Sequence, residues 1–174
     1  YNLGVVLVTS GPGGTNAITG VAAAWLESTP MIVFSGQAKT ADLKGDSGVR
    51  QKGNQEIGIV DIVKSITKYA VMLTDPKELR YHLDKAVYEA FHGRPGPVWI
   101  DIPLDIQAAI VETEELLPFI TEEKEESIPL ETIEKVLEDL QKAQRPVLIA
   151  GQGIERKNGK SIFRKLIDIL NIPV

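Results

Sequence analysis

Hydrophobic residues along this chain fall into two alternating patterns. Short continuous apolar runs predict buried strands over Leu3–Thr9, Met31–Phe34, Ile66–Leu73, Pro97–Ile102 and Pro146–Ala150, and another from Ile172 onward. Between them, apolar residues with helical spacing predict helices over Thr15–Ser28, from about Glu56 to Val63, from Asp75 to Gly93, over Leu130–Ala143 and over Ser161–Leu170. This alternation predicts an α/β fold with a parallel sheet and right-handed crossovers.

Local signals indicate where the helices begin and end. Thr15 is the expected N-cap of the first helix, and Asp75 is the expected N-cap of a later one, with Pro76 at its first position. Gly93 is expected to end that later helix. The polar segment 35–53 predicts a long loop at the carboxyl edge of the sheet, where long loops are usually functional or mobile.

An acidic segment is expected to divide the chain. Glutamates crowd into residues 112–126 without sustained periodicity, which is typical of a solvated linker. We therefore expect a first α/β domain in residues 1–116, a linker in 117–129, and the beginning of a Rossmann-like α/β domain in 130–174. The chain opens on Tyr1 rather than Met and stops where a strand is predicted, so we expect an internal piece of a longer protein.

Composition narrows the functional classes. The chain has 174 residues, 43% of them hydrophobic and 25% charged, which is typical of a globular protein. A net charge of −5 argues against a nucleic-acid partner, and the lack of cysteine excludes disulfides and thiolate metal sites. The apolar runs are too short for a membrane span and no signal peptide is visible, so we expect a cytoplasmic protein with no membrane partner.

A strand that runs through a glycine turn into a helix is the strongest indication of a ligand site. Residues 4–16, GVVLVTSGPGGTN, have this form, and ligands in open α/β sheets bind beyond the carboxyl ends of the strands. A dinucleotide fingerprint is excluded, because Asn16 occupies its third glycine position and Pro12 lacks an amide N–H. From these residues alone, a ligand site and a tight turn with a capping Asn explain the motif equally well.

Other chemical motifs are not supported by spacing. Residues 153–161 do not have the two-glycine spacing of a phosphate-binding loop. His82 and His92 have no clustered carboxylates beside them, so no metal site or catalytic dyad is predicted, and no G-x-S-x-G nucleophile motif occurs.

Three stretches of the sequence resemble one enzyme family. TSGPGGTNAITGVAAAWLESTPMIVFSGQ, GNQEIGIVDIVKSITKYA and GRPGPVWIDIPLDIQ resemble the thiamine diphosphate enzymes of the acetolactate synthase group. The resemblance implies that residues 1–116 hold the C-terminal part of a pyrimidine-binding domain with the start of a linker, and that 130–174 begin the central domain.

The resemblance also assigns candidate cofactor residues. Pro12, Gly13 and Asn16 match positions that line the thiamine pyrimidine, and Gln55 matches a glutamine close to cofactor and substrate. An ordinary loop glutamine before a helix is the alternative for Gln55.

In flavin-containing members of the group, positions matching Arg94, Gly151 and Gly153 contact FAD. A surface arginine in a rigid turn and glycines that end a strand are the alternatives for these residues. Whether FAD is bound therefore stays open.

Two positions depart from the pattern of the synthases proper. Asn54 stands where they usually have Phe, and Leu104 stands where they usually have Lys in the substrate channel. These departures leave open a thiamine-dependent 2-oxo acid decarboxylase that releases an aldehyde. A non-catalytic nucleotide-binding or subunit-association module is the alternative of another class, because a fold does not fix a function.

The family's chemistry implies groups outside this sequence. Its cofactor-activating glutamate is expected upstream of Tyr1, and the domain that holds the diphosphate through Mg²⁺ is expected after Val174, so residues 1–174 alone should be inactive. The implied parent is a homodimer or tetramer, with a possible regulatory subunit, that decarboxylates pyruvate or a related 2-oxo acid in branched-chain amino acid biosynthesis. It would transfer the two-carbon unit to an acceptor.

Overall fold

The computed structural model describes residues 3–121, 127–155 and 159–174. Packing divides the chain into two compact units, Tyr1–Thr121 and Glu122–Val174. Glu122, Glu123, Glu125 and Glu126 of the predicted linker lie outside the described residues. The assignment of 1–116, 117–129 and 130–174 to two domains and a linker stays a prediction.

The first unit is built on a parallel sheet. Its strands are β1 (Gly4–Val8), β2 (Met31–Gln37), β3 (Tyr69–Met72) and β4 (Pro97–Pro103). They lie side by side in the order β1-β2-β4-β3, and every neighbouring pair is parallel. The predicted α/β class and parallel sheet are therefore confirmed, with strand ends that differ from the predicted ones.

Helices connect these strands. The α-helices of the first unit are α1 (Pro12–Leu26), α2 (Ile59–Val63), α3 (Leu79–Phe91) and α4 (Leu104–Gln107). Single 3₁₀ turns occur at Thr40–Asp42, Lys64–Ile66, Pro76–Glu78 and Thr113–Glu115. The handedness of the crossovers stays a prediction.

The core lies on both faces of the sheet, because alternate residues of β2 and β4 point to opposite sides. On one face, Ile32, Val98 and Ile100 pack in a buried cluster with Leu73 and with two alanines of α3, Ala86 and Ala90. On the other face, Val33 and Trp99 pack in a cluster with α1 and α2 through Val21, Ile59 and Val63. The sheet is thus covered by helices on both sides, as parallel sheets usually are.

The start of α1 differs from the prediction. Thr15 is not the N-cap, because the helix begins at Pro12 and Gly11 precedes it. The hydroxyl of Thr15 instead donates back to the carbonyl oxygen of Pro12 at 3.2 Å. Proline suits the first helical position, since its fixed φ fits the helix and no partner is needed there for its missing N–H.

The predicted end of α3 is confirmed, but the α-helix begins at Leu79 rather than at the predicted first position, Pro76. The carboxylate of Asp75 accepts a hydrogen bond from the N–H of Lys77 at 2.9 Å, and Pro76 begins the 3₁₀ turn that leads into α3. Gly93 follows the end of the helix with a φ of 61°, a conformation that glycine adopts without steric cost.

The second unit contains the two predicted helices without the predicted strands. Its elements are α5 (Leu130–Lys142), a 3₁₀ turn at Gln152–Glu155 and α6 (Gly159–Leu170). Residues 146–150 and 172–174 are not strands, so both strand predictions are wrong. The N–H of Leu148 donates to the carbonyl of Pro173 at 2.9 Å. In the described residues no sheet covers this apolar run, and Ile149 is 94% exposed.

We expect shortening of a buried side chain in β4 to destabilise the first unit strongly. Ile100 is fully buried in β4, so Ile100→Ala should lower the free energy of unfolding by about 2–5 kcal/mol through lost burial and a new cavity. The matched change Ile110→Ala, at a residue 93% exposed, should stay within about 0.5 kcal/mol. Urea unfolding of both variants measures the difference, and equal effects would contradict the core described above.

Candidate functional site

The glycine turn lies at the carboxyl edge of the sheet, directly after β1. Gly11 has φ 59° and ψ −119°, a backbone conformation that is essentially restricted to glycine. A methyl group on its Cα would lie 2.5 Å from the carbonyl oxygen of Gln55. Gly11 therefore permits both the sharp turn into α1 and the close approach of the segment that contains Gln55.

The structure brings the candidate thiamine-side residues together. Pro12 and Asn16 are exposed on the first turns of α1, and Gly13 lies between them, half-buried. Gln55 is also exposed and has a φ of 54°, which is uncommon for a residue with a side chain. An accessible surface with a rigid ring and two amide side chains therefore faces solvent at this edge.

Carboxylates hold the loop that precedes Gln55. Glu56 accepts backbone hydrogen bonds from Lys44 at 2.7 Å, and from Lys52 and Gly53 at 3.0 Å each. Burial acts to raise the pKa of Glu56, yet these three donors leave it lowered. The backbone of this loop thus folds around the carboxylate of Glu56.

A second carboxylate holds the start of the same loop. Asp105 accepts hydrogen bonds from both the hydroxyl and the N–H of Thr40, and these bonds lower the pKa of Asp105. Further along, a methyl group on Gly53 would lie 2.4 Å from the Cβ of Ala38, so the two ends of the loop are in direct contact.

A buried polar cluster lies beneath the site. Asp101 of β4 is 1% exposed, and its carboxylate accepts hydrogen bonds from the Ser35 hydroxyl at 2.5 Å and the Gln37 amide at 2.9 Å. The indole N–H of Trp99 donates to the same Ser35 oxygen at 2.7 Å. The Gln37 amide also donates to the carbonyl of Ile57 at 3.0 Å. These side chains form one connected network under the carboxyl ends of β2 and β4.

Burial raises the pKa of Asp101 to about 6, although the hydrogen bonds from Ser35 and Gln37 act to lower it. Removal from water disfavours the charged form, and the described residues place no cation on this carboxylate. Its ionised form is held by neutral donors alone.

Sequence reasoning missed this network, although a signal for it exists. In MIVFSGQ and PVWIDIP, alternation places Val33, Ser35 and Gln37 on one face of β2, and Trp99 and Asp101 on one face of β4. A single Asp within an apolar strand calls for hydrogen-bond partners. The pairing of Ser35 opposite Asp101 depended on the strand order, which the sequence did not provide.

The candidate flavin-side arginine lies at the opposite edge of the sheet. Arg94 precedes the amino end of β4, and its Nε donates to the hydroxyl of Ser28 at 2.7 Å. It lines a cavity of about 450 Å³ together with Trp25, Lys68 and His92. The structure therefore does not bring Arg94 together with the glycine turn, since the length of the strands separates them.

The candidate glycines of the second unit show no close approach. A methyl group on Gly151 or Gly153 would meet no described atom within 4 Å. Residues 146–150, which were predicted to precede them as a strand, are not a strand, and Gly153 lies in the 3₁₀ turn Gln152–Glu155. Among the described residues, no group of three or more His, Cys, Asp or Glu side chains could hold a metal ion.

Comparison with known proteins places this geometry in a family. Residues 1–64 match the family described as thiamine pyrophosphate enzyme, N-terminal TPP binding domain. Over these residues the chain is similar to the thiamine pyrophosphate enzymes. The match includes the glycine turn and Gln55.

Acetolactate synthase subunits are similar to nearly the whole of this chain. The mitochondrial acetolactate synthase catalytic subunit of Saccharomyces cerevisiae is 37% identical over 98% of this chain and 26% of its own length. The acetolactate synthase large subunit of Lactococcus lactis is 38% identical over 99% of this chain and 29% of its own length. The isozyme 3 large subunit of Escherichia coli is 34% identical, and the chain spans 30% of it. The resemblance to the acetolactate synthase group is confirmed.

The glycine turn offers groups that suit a flat heteroaromatic ring. Pro12 provides a rigid apolar surface, and Asn16 adds an amide donor and acceptor. None of the described helices has the length and apolar character needed to cross a membrane.

We expect Gly11→Ala to disrupt the contact between the turn and Gln55. Gly93→Ala is the matched control, because Gly93 has a similar φ of 61° but open space where a Cβ would be. The control should cost about 1–2 kcal/mol for its left-handed φ, and Gly11→Ala should cost more because the methyl would overlap the Gln55 carbonyl. Chemical denaturation of both variants tests this, and equal losses would show that the close approach is unimportant.

The raised pKa of Asp101 predicts a specific dependence of stability on pH. Below about pH 3 the carboxyl is protonated in both states; above that the unfolded chain ionises at its ordinary value, 3.8, and the folded protein only at about 6. The free energy of unfolding should therefore fall by about 3 kcal/mol relative to Asp101→Asn between pH 3 and 7. Urea unfolding of both proteins across this range measures it; parallel pH curves would contradict the shift.

Proposed function

We propose that this chain forms part of the cofactor site in a thiamine diphosphate-dependent, acetolactate synthase-like enzyme. The observation that supports this most directly is the packing of the Gly11 turn against Gln55 at the carboxyl edge of the sheet. Sequence identity of 34–38% to acetolactate synthase subunits supports the proposed class of reaction, a thiamine-dependent one. The chain spans between 26% and 30% of those relatives, so activity, substrates and partners are part of the proposal.

Pro12, Gly13 and Asn16 would bind and orient the pyrimidine, and Gln55 would face the cofactor from the neighbouring loop. When bound, thiamine diphosphate supplies the nucleophilic carbon that decarboxylation of a 2-oxo acid requires. Pro12 would exclude water from one face of the ring, and the amide of Asn16 would fix its rotation. The activating glutamate and the Mg²⁺ ligands would come from protein outside residues 1–174.

FAD binding at Arg94 is a separate part of the proposal. Arg94 and Lys68 offer positive charge at the 450 Å³ cavity, and Trp25 offers an aromatic surface, which suits part of a flavin dinucleotide. Burial lowers the pKa of Lys68, whose ammonium donates to the carbonyls of Glu89 and His92. Gly151 and Gly153 are proposed FAD contacts within the second unit.

The proposed assembly follows from the same similarity, and the proposed location follows from the sequence, in which no signal peptide is visible. The relatives are named catalytic or large subunits, which supports a regulatory partner subunit for this protein. We propose a homodimer or tetramer in branched-chain amino acid biosynthesis, located in the cytoplasm.

Asn54 and Leu104 favour a second candidate. Leu104 is 52% exposed at the start of α4, at the carboxyl edge of the sheet that also bears the glycine turn, and it replaces a cation expected at the substrate channel. Such a change suits a thiamine-dependent decarboxylase that releases an aldehyde instead of coupling two substrates.

The identity of the product tests the proposal. The full-length protein encoded by the gene should convert pyruvate to acetolactate when thiamine diphosphate and Mg²⁺ are added. Gln55→Ala should reduce turnover by tenfold or more, about 1.4 kcal/mol, whereas the control Gln141→Ala on the exposed face of α5 should not. Acetaldehyde as the product would support the decarboxylase, and failure to turn over any 2-oxo acid would refute the proposed function. Residues 1–174 alone should show no turnover.

A further inference from the structure

We infer that Asp101, acting through Ser35, Gln37 and Trp99, is a positioning residue that holds the two walls of the cofactor site together. This inference rests on the proposed function, since those walls are the Gln55 loop and the first turns of α1. None of the network side chains needs to touch cofactor or substrate. Their role would be to fix the backbone from which Pro12, Asn16 and Gln55 project.

Gln37 connects the carboxylate to the Gln55 loop. Its Nε2 donates both to Asp101 and to the carbonyl of Ile57, two residues after Gln55, and its Oε1 accepts from the N–H of Ala38 at 2.9 Å. Because Asp101 and the Ile57 carbonyl are both acceptors, only this orientation of the amide satisfies all of its neighbours. The side chain thus joins the buried strand to both ends of the loop.

Trp99 connects the same network to the glycine turn. Its indole N–H donates to Ser35, whose hydroxyl donates to Asp101. A methyl group on Gly14 would lie 3.6 Å from Cζ2 of this ring and 3.3 Å from the side chain of Ile59. The ring is therefore packed under the first turn of α1 and fixed in rotation by its hydrogen bond.

A carboxylate suits this position better than a neutral isostere. Asp101 accepts from Ser35 with one oxygen and from Gln37 with the other, and both donors already have their remaining partners. An amide in its place replaces one acceptor oxygen by an NH₂ group, which must face a donor or displace the existing bonds. Loss of either bond frees Gln37 or Ser35, and with it the wall to which that residue connects.

Amide hydrogen exchange on the full-length protein tests the inference. We compare Asp101→Asn and Gln37→Met with the control Thr67→Val, which removes another buried hydrogen bond, from Thr67 to the carbonyl of Val63 at 2.9 Å. Thiamine diphosphate affinity is measured on the same proteins in the presence of Mg²⁺. Gln37→Met keeps Asp101 and is the milder variant if Asp101→Asn folds poorly.

Both network variants should increase exchange in residues 52–58 by about tenfold, the equivalent of one lost hydrogen bond, and Asp101→Asn should also increase it in residues 11–15, with little change in α3. They should also weaken cofactor binding by about tenfold. Thr67→Val should lower Tm without either effect. Unchanged exchange in residues 52–58, or equal changes in Thr67→Val at equal loss of Tm, would overturn the inference. If the wild-type protein binds no thiamine diphosphate, the proposed function fails, and exchange alone then decides whether the network holds the loop.

Discussion

The parallel pairing of β2 with β4 is the constraint on which the rest of the first unit depends. It places Ser35 directly opposite Asp101 and brings the carboxyl ends of both strands to one edge. At that edge the glycine turn, the loop before Gln55 and α4 all follow their strands. The same pairing sends Arg94 to the other edge, because it precedes β4. One register therefore determines which candidate residues share a site.

Burying a carboxylate at this register has an electrostatic cost. Asp101 is 1% exposed, and burial raises its pKa to about 6, since neutral donors only partly replace the lost hydration. A hydrophobic residue at this position would avoid that cost. The carboxylate instead orients Gln37 and Ser35. The arrangement of the loop and the turn is therefore fixed at a cost in folding stability.

Local backbone strain occurs at the same place as the proposed chemistry. Gly11 and Gln55 both have positive φ, and they are in contact through the Gln55 carbonyl. Strained conformations persist only where their surroundings hold them, and they cluster at ligand sites. Here the surroundings are the carboxylate of Glu56, the carboxylate of Asp105 in α4, which holds Thr40 of the loop, and the network of Asp101 beneath it. The family match over residues 1–64 includes both strained positions.

The sequence by itself determined β1 to β4 and α1 to α3 of the first unit, because continuous apolar runs and helical spacing reflect burial on a regular period. The short helix α4 was not predicted. The sequence also predicted the turn at Gly11, the capping role of Asp75 and the helix end at Gly93, since each residue meets a local backbone requirement. The prediction of Thr15 as the N-cap was wrong, because Pro12 could begin the helix three residues earlier. The strand prediction for residues 146–150 was wrong, because an apolar run becomes a strand only beside a neighbouring strand that satisfies its backbone groups. Only the tertiary structure decided that Gln55 contacts Gly11, that Arg94 lies elsewhere and that Asp101 holds Gln37, since these depend on strand order and register between residues far apart in the chain.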